Sequence, residues 1–356
     1  MVQIHQFSPT VSYGDASSNQ TLSLQRMIRG LGYESEIFCD RMPLHFEGRA
    51  RPFGQHARYS APENVLLLHF SLSYSPRVMA WLKEVPDRKV LVYHNITPAA
   101  FFAGVNHNAL RAAQTGRRQL GELRALAGVG WGDSAFNVQE LTEKGWTRTG
   151  VLPIVFEPQR YQMQADRQVL KRWQGRPNVL FVGRISPSKR IDDLILAFYH
   201  LKRSVRHDAR LLLVGSAGGM EPYAAYLRAL VERLQVADVV FAGHVSHAEL
   251  VAYYQCANVY LSMSEHEGFC VPLLESMHFG LPVVAFKSSA VPETLGGSGV
   301  LLREKDHASV AELIGLLMED GDLRSRITAR QRERLEDFVP DRVQIRLQQL
   351  LRELGV

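Results

Sequence analysis

Ser264-Glu265-His266-Glu267-Gly268-Phe269-Cys270-Val271-Pro272-Leu273-Leu274-Glu275-Ser276-Met277 decides the fold. The apolar run 259–261 before it has the length of a buried strand. After Pro272, favoured at an early helix position, the spacing predicts a helix over 272–280 that stops at Gly280. A second buried strand follows at 283–286. The quoted stretch is therefore a strand-to-helix loop in a strand–helix–strand unit, which calls for a parallel sheet. Glu267 lies in the loop, and Glu275, eight positions on, is expected in the first helical turn. Unpaired N–H groups at such a helix start suit an anion, so the stretch offers a polar ligand amides and two carboxylates.

Outward from it, the same alternation repeats. C-terminal-half strands are expected at 178–182, 211–214 and 239–241, and helices at 192–201, 221–234, 309–319 and 343–354. Ser246 with Glu249 three residues on predicts a capped helix over 246–256. The N-terminal half shows strands at 2–7, 35–38, 65–69, 90–93, 129–132 and 151–153, with helices at 20–31, 76–83 and 108–127 and a helix start at Asp133-Ser134. The fold class is thus α/β, two tandem Rossmann-like doubly wound domains. Ligands of such sheets bind beyond the carboxyl ends of the strands, so the two domains are expected to face a central cleft.

Composition agrees. In 356 residues, 46% are hydrophobic and 22% charged, as in an ordinary globular protein of two domains. Cys39, Cys256 and Cys270 form no Cys-x-x-Cys pair, so neither a disulfide framework nor a zinc site is expected, and a reducing cytoplasmic setting is the simplest reading. The first ten residues lack the basic and apolar regions of a signal peptide, and no apolar run is long enough to span a membrane. Residues 1–165 hold 17 Lys and Arg against 13 Asp and Glu, so most of the net charge of +5 lies there. Arg111, Arg117, Arg118 and Arg124 share one expected helix, which reads either as a solvated face or as peripheral contact with an anionic membrane. Basic residues are not interleaved with aromatics, which argues against nucleic acid as a partner.

In Glu267-Gly268-Phe269-Cys270-Val271-Pro272-Leu273-Leu274-Glu275, followed by Gly280-Leu281-Pro282-Val283-Val284, the chain resembles the retaining family-4 glycosyltransferases, whose hallmark is Glu, seven residues, Glu. These have two Rossmann-like domains in the GT-B arrangement. The resemblance implies an N-terminal acceptor-binding domain over 1–163, with a last helix near 340–356 packing back onto it, and a nucleotide-sugar-binding domain over 164–339. It implies transfer of a hexose from a nucleotide-diphosphate sugar, of UDP or GDP type, to a glycan or lipid-linked acceptor in surface-polysaccharide assembly, with no cofactor and no metal. Within the same architecture, a phosphorolytic or epimerising enzyme or a non-catalytic nucleotide-sugar binder is the alternative.

The resemblance also assigns roles. Glu267 would lie against the donor sugar and Glu275 would hold the ribose hydroxyls, while Gly268, Phe269, Cys270 and Val271 would offer backbone amides. In Phe181-Val182-Gly183-Arg184-Ile185-Ser186-Pro187-Ser188-Lys189-Arg190, Arg184 and Lys189 fit the places of the cations that clamp the diphosphate, with Arg190 open as a substitute for Lys189. Fixed cations stabilise the charge that develops on a leaving diphosphate. His94, after the strand 90–93, fits a histidine near the reacting carbon. Gly183, Ser216, His244 and Val245 would line the nucleotide site. Gly14-Asp15-Ala16 stands where relatives carry Gly-Gly, which leaves Asp15 to touch ligand or cap a helix. Asp320-Gly321-Asp322 follows a helix and no strand, and reads as a helix-stop turn, not a metal site.

Overall fold

The computed structural model describes residues 2–11, 15–41 and 48–356. In chain order the elements begin with β1 (Ile4–Thr10), α1 (Ala16–Gly30), β2 (Ile37–Arg41), β3 (Arg51–Pro52), β4 (Val65–Phe70), α2 (Pro76–Glu84) and β5 (Arg88–Tyr93). Then come α3 (His107–Ala127), β6 (Val129–Gly132), α4 (Ala135–Glu143), β7 (Arg148–Val151), α5 (Arg167–Trp173), β8 (Asn178–Val182), α6 (Ile191–His200) and β9 (Arg210–Val214). The rest are α7 (Glu221–Leu234), β10 (Val239–Gly243), α8 (His247–Cys256), β11 (Val259–Ser262), α9 (Val271–His278), β12 (Val283–Phe286), α10 (Val291–Leu295), β13 (Val300–Leu302), α11 (His307–Glu319), α12 (Gly321–Leu335) and α13 (Pro340–Glu353).

These elements form two compact units. The first comprises residues 1–99, 108–156 and 338–356, the second 100–107 and 157–337. The first unit's seven strands run in the order β3-β2-β1-β4-β5-β6-β7, and the second unit's six in the order β10-β9-β8-β11-β12-β13. Neighbouring strands are parallel, as in β1 beside β4 and β8 beside β11. Two Rossmann-like domains with helices between the strands are therefore present.

Fully buried strands explain the unbroken apolar runs. Leu66, Leu67, Leu68 and Leu91 in the first sheet, and Leu211 and Leu212 in the second, have no exposed surface. Each such side chain contributes on the order of 1.5–3 kcal/mol by leaving water. Val343, Leu347, Leu350 and Leu351 of α13 pack in the first unit's core with Ile4, Leu24, Val65 and Trp131. The second core joins Phe181, Ile195, Leu213, Leu261 and Val284 to Val310, Ile314 and Leu317 of α11.

Several sequence boundaries shift. The helix expected at 20–31 starts at Ala16, because Asp15 caps it from outside. The strand expected at 35–38 lies at Ile37–Arg41, and the one expected at 151–153 at Arg148–Val151. The short elements α10 and β13 and the whole of α12 carried no recognised pattern. The three cysteines are free and buried. Among the described residues no helix is long and apolar enough to cross a membrane.

Candidate functional site

Strand order reverses direction in the second unit between β8 and β11, so the loops after these two strands flank a crevice at their carboxyl ends. Both loops carry sequence-predicted residues. They are joined by a backbone hydrogen bond from Glu265 N–H to the Ser188 carbonyl, 2.9 Å. The predicted cation and the predicted acid meet there: Lys189 Nζ lies 2.6 Å from Glu267 Oε2, with side chains 21% and 11% exposed. Reduced exposure screens this pair less than a surface one.

Close backbone packing joins the loops after β8 and β9. Gly215, after β9, has φ +148°, and a Cβ there would stand 1.9 Å from the Gly183 carbonyl oxygen after β8. Gly183 N–H donates to the Val214 carbonyl and Ile185 N–H to the Ser216 carbonyl, which ties the two loops together. Only a residue without a side chain allows this approach.

After β11 the chain turns through Cys270, which takes a left-handed φ of +74° and stands as the N-cap of α9. Burial pushes the Cys270 thiol well above its ordinary pKa, and the neighbouring Glu267 adds to this. A neutral thiol is a poor nucleophile. The helix begins at Val271, which puts Glu275 in the second turn and corrects the first-turn expectation. Glu275 is also buried, at 8% exposure. Tyr161 Oη donates to its Oε1 at 2.6 Å and Tyr254 Oη to its Oε2 at 2.5 Å. Burial, then the carboxylate, raises both phenol pKa values above the ordinary range, so both tyrosines remain donors. Sequence reasoning missed both; they lie 114 and 21 positions from Glu275.

Arg190, the residue after Lys189, is engaged by three carboxylates. Its guanidinium contacts Asp192 at 2.9 Å, Asp193 at 3.3 Å and Glu265 at 2.8 Å. Lys305 bridges Asp193 and Glu265 at 2.7 Å each. Arg184, by contrast, is exposed on the loop after β8. Ser216 is exposed, its Oγ accepting from Gly218 N–H at 3.0 Å. His244 is exposed and Val245 half-buried after β10. Within this unit Asn106 donates to the Gly219 carbonyl at 2.6 Å, and the Phe101 ring lies 6.4 Å from that of His266. Neither residue carried a sequence signal. Asp320 ends α11 and caps α12 by accepting from Leu323 N–H at 2.8 Å.

In the first unit, His94 follows β5. Its Nδ1 lies 2.9 Å from Asp133 Oδ2 and its Nε2 2.8 Å from His69 Nδ1. Both ring nitrogens are thus held by protein groups. Asp15 is the N-cap of α1, accepting from Ser18 N–H at 3.0 Å and from the Ser17 and Ser18 hydroxyls. Ala16 is the first residue of that helix, and Gly14 lies outside the described residues. On α3, Arg117 turns inward to Glu140 at 3.1 Å, while Arg111, Arg118 and Arg124 are exposed.

The family described as "Glycosyl transferases group 1" matches residues 162–334. The chain is 29% identical over 188 residues to the O-antigen chain mannosyltransferase B of Escherichia coli, covering 52% of this chain and 45% of that protein. It is 31% identical over 232 residues to the D-inositol 3-phosphate glycosyltransferase of Acidothermus cellulolyticus, covering 58% and 50%. The chain thus spans about half the length of these curated relatives. Among solved structures it resembles Anabaena Alr3699/HepE in complex with UDP-glucose, with a TM-score of 0.74, 18% identity and full coverage of both chains. At that identity the likeness concerns the fold.

Proposed function

We propose that the chain transfers a hexose from a UDP- or GDP-type sugar to an acceptor hydroxyl, with retention at the anomeric carbon. The observation that carries this reading is the Lys189–Glu267 pair at the switch point between β8 and β11. The match of residues 162–334 to a glycosyltransferase family, and relatives named as glycosyltransferases, support it.

In this reading the second unit binds the donor. Lys189 and the exposed Arg184 neutralise the departing diphosphate, the amides of Gly268 to Val271 hold sugar and phosphate, and Glu275 holds the ribose. Two fixed cations let the reaction run without a metal. No protein nucleophile is needed: as the bond from the anomeric carbon to the phosphate oxygen breaks, the acceptor oxygen bonds to that carbon on the same face and gives its proton to the departing phosphate oxygen. Exclusion of water limits hydrolysis. The first unit receives the acceptor, a lipid-linked or surface-polysaccharide glycan. The exposed Arg111, Arg118 and Arg124 of α3 draw it to an anionic membrane; flotation that rises with the anionic lipid content of liposomes is expected, and equal flotation without such lipid removes this part.

The test is the double variant Arg184→Ala, Lys189→Ala, assayed for transfer beside its melting temperature. The expected result is a fold retained and kcat lowered roughly 100–1,000-fold, by analogy with loss of a fixed electrostatic donor. Full activity, or a product of inverted configuration by NMR, overturns the proposal.

A further inference from the structure

The first unit contains an unbroken line of side-chain hydrogen bonds that the transfer chemistry above does not use. Gln6 on β1, His69 on β4, His94 after β5 and Asp133 after β6 come from four adjacent strands of the sheet. Gln6 Oε1 lies 2.9 Å from His69 Nε2, His69 Nδ1 lies 2.8 Å from His94 Nε2, and His94 Nδ1 lies 2.9 and 3.1 Å from the two Asp133 oxygens. The two ring planes differ by 7° with centroids 5.1 Å apart. With nitrogens only 2.8 Å apart, the rings meet edge to edge, so the shared hydrogen bond lies near both ring planes. His69 is 1% exposed, and the His94 and Asp133 side chains 5% and 3%.

Both ends of this line accept. Gln6 Nε2 donates to the Thr21 carbonyl at 3.1 Å, so its amide oxygen faces His69. An ionised Asp133 carboxylate has only acceptors. Three hydrogen bonds strung between two acceptors need three protons. Two neutral imidazoles supply two, one each. His69 Nε2 must donate to Gln6, which leaves its Nδ1 as acceptor for a proton on His94 Nε2. His94 Nδ1 is then left facing a carboxylate, and that bond needs the third proton.

We infer that Gln6, His69, His94 and Asp133 form a buried relay holding one proton more than neutral rings beside a carboxylate would, and that His69 is a positioning residue that keeps His94 protonated at both nitrogens. The relay is neutral as a whole, an imidazolium balanced by a carboxylate, which removes most of the cost of burying either charge. His94 then has no lone pair with which to take a proton from an acceptor hydroxyl. That consequence rests on the transfer reading; the proton count rests on geometry alone.

Burial and charge act on both partners of the His94–Asp133 bond. Burial acts to lower the pKa of His94, but the Asp133 carboxylate and Asp15 outweigh it and the net shift is upward. Burial lifts Asp133 more than His94 lowers it. His69 falls well below the ordinary range through burial and the charge of His94. Tyr74 donates its phenol proton to the His69 carbonyl, and burial keeps that phenol neutral. Because the native pKa of His94 is raised above about 6.5, the stabilisation is fully present below that pH and lost as pH rises through the native value.

Histidine ¹⁵N NMR of the full chain tests this without substrate, with His69→Asn and His69→Leu beside the wild type. Asn places an acceptor where Nδ1 stands; Leu does not. The expected wild-type spectrum at neutral pH has His94 protonated at both nitrogens and His69 at Nε2 only. His69→Asn keeps that state, and His69→Leu lowers the His94 midpoint by one pH unit or more, a tenfold change. Two neutral rings in the wild type, or an unchanged His94 midpoint in His69→Leu, overturns the inference. If His69→Leu does not fold, the wild-type spectrum and the Asn variant decide.

Discussion

Glu275 has a different environment from the one its neighbours in sequence suggest. Local sequence places it near a helix start and says nothing of its partners, yet it is buried with a tyrosine hydroxyl on each oxygen. A buried carboxylate bonded in this way is held in one orientation, and each oxygen retains a lone pair for a ligand. Tyr254 also stacks on Phe279, with centroids 5.0 Å apart, so replacing it with Phe keeps the ring and removes only the donor. Hydrogen bonds to charged groups contribute about 1.5–3 kcal/mol. Tyr254→Phe is therefore expected to lower unfolding stability by an amount in that range and to weaken nucleotide-sugar binding about tenfold, read by denaturant titration and calorimetry. Unchanged values in both would show that Glu275 does not depend on its tyrosine partners. The pairing was invisible in sequence because it joins three segments through tertiary packing. The Lys189–Glu267 pair was legible only as two separate motifs, since their meeting depends on the order of β8 and β11.

Elements whose signals are local were read well. The capping box of α8 forms as Ser246 and Glu249 imply, each side chain serving the other's backbone N–H. Buried strands such as β4 and β9 announced themselves as apolar runs. Helix α12 did not. It is rich in Arg and Glu, buries only Thr328, Gln331 and Leu335, and attaches through a polar side chain: Gln331 accepts from Val283 N–H and donates to the Leu281 carbonyl. Its apolar stripe is thin, Leu323, Ile327 and Leu335 with the polar Gln331 in the same line, and gives a periodicity little to find. The start of α1 was hidden for a related reason, since Ser18, Gln20, Thr21 and Ser23 are polar residues packed inward. Helix α3 carries a contact that sequence could not expose. A Cβ on Gly116 would stand 1.7 Å from the Leu72 carbonyl oxygen. Gly116→Ala would raise helix propensity by up to about 1 kcal/mol on an exposed helix. Here the clash with backbone wins, and a loss of about 1–3 kcal/mol is expected, as for overpacked cores. Thermal unfolding checks this; a higher melting temperature contradicts it.

At the scale of the whole molecule, two doubly wound units were legible because each strand–helix alternation restarts after the linker near residue 157. The sequence motifs fall mainly in the second unit, around the carboxyl ends of β8 and β11. In the first, the functional signal reduces to a histidine whose partners lie 25 and 39 positions away. The account therefore stands or falls on the second unit's crevice as the donor site. Hydrogen–deuterium exchange with a panel of UDP-, GDP- and ADP-sugars tests this most directly. Binding of one donor is predicted to slow exchange in residues 183–190 and 263–275, while the buried strands β9 and β12 stay as they were. A donor that binds yet leaves both loops exchanging at their free rates would contradict the account.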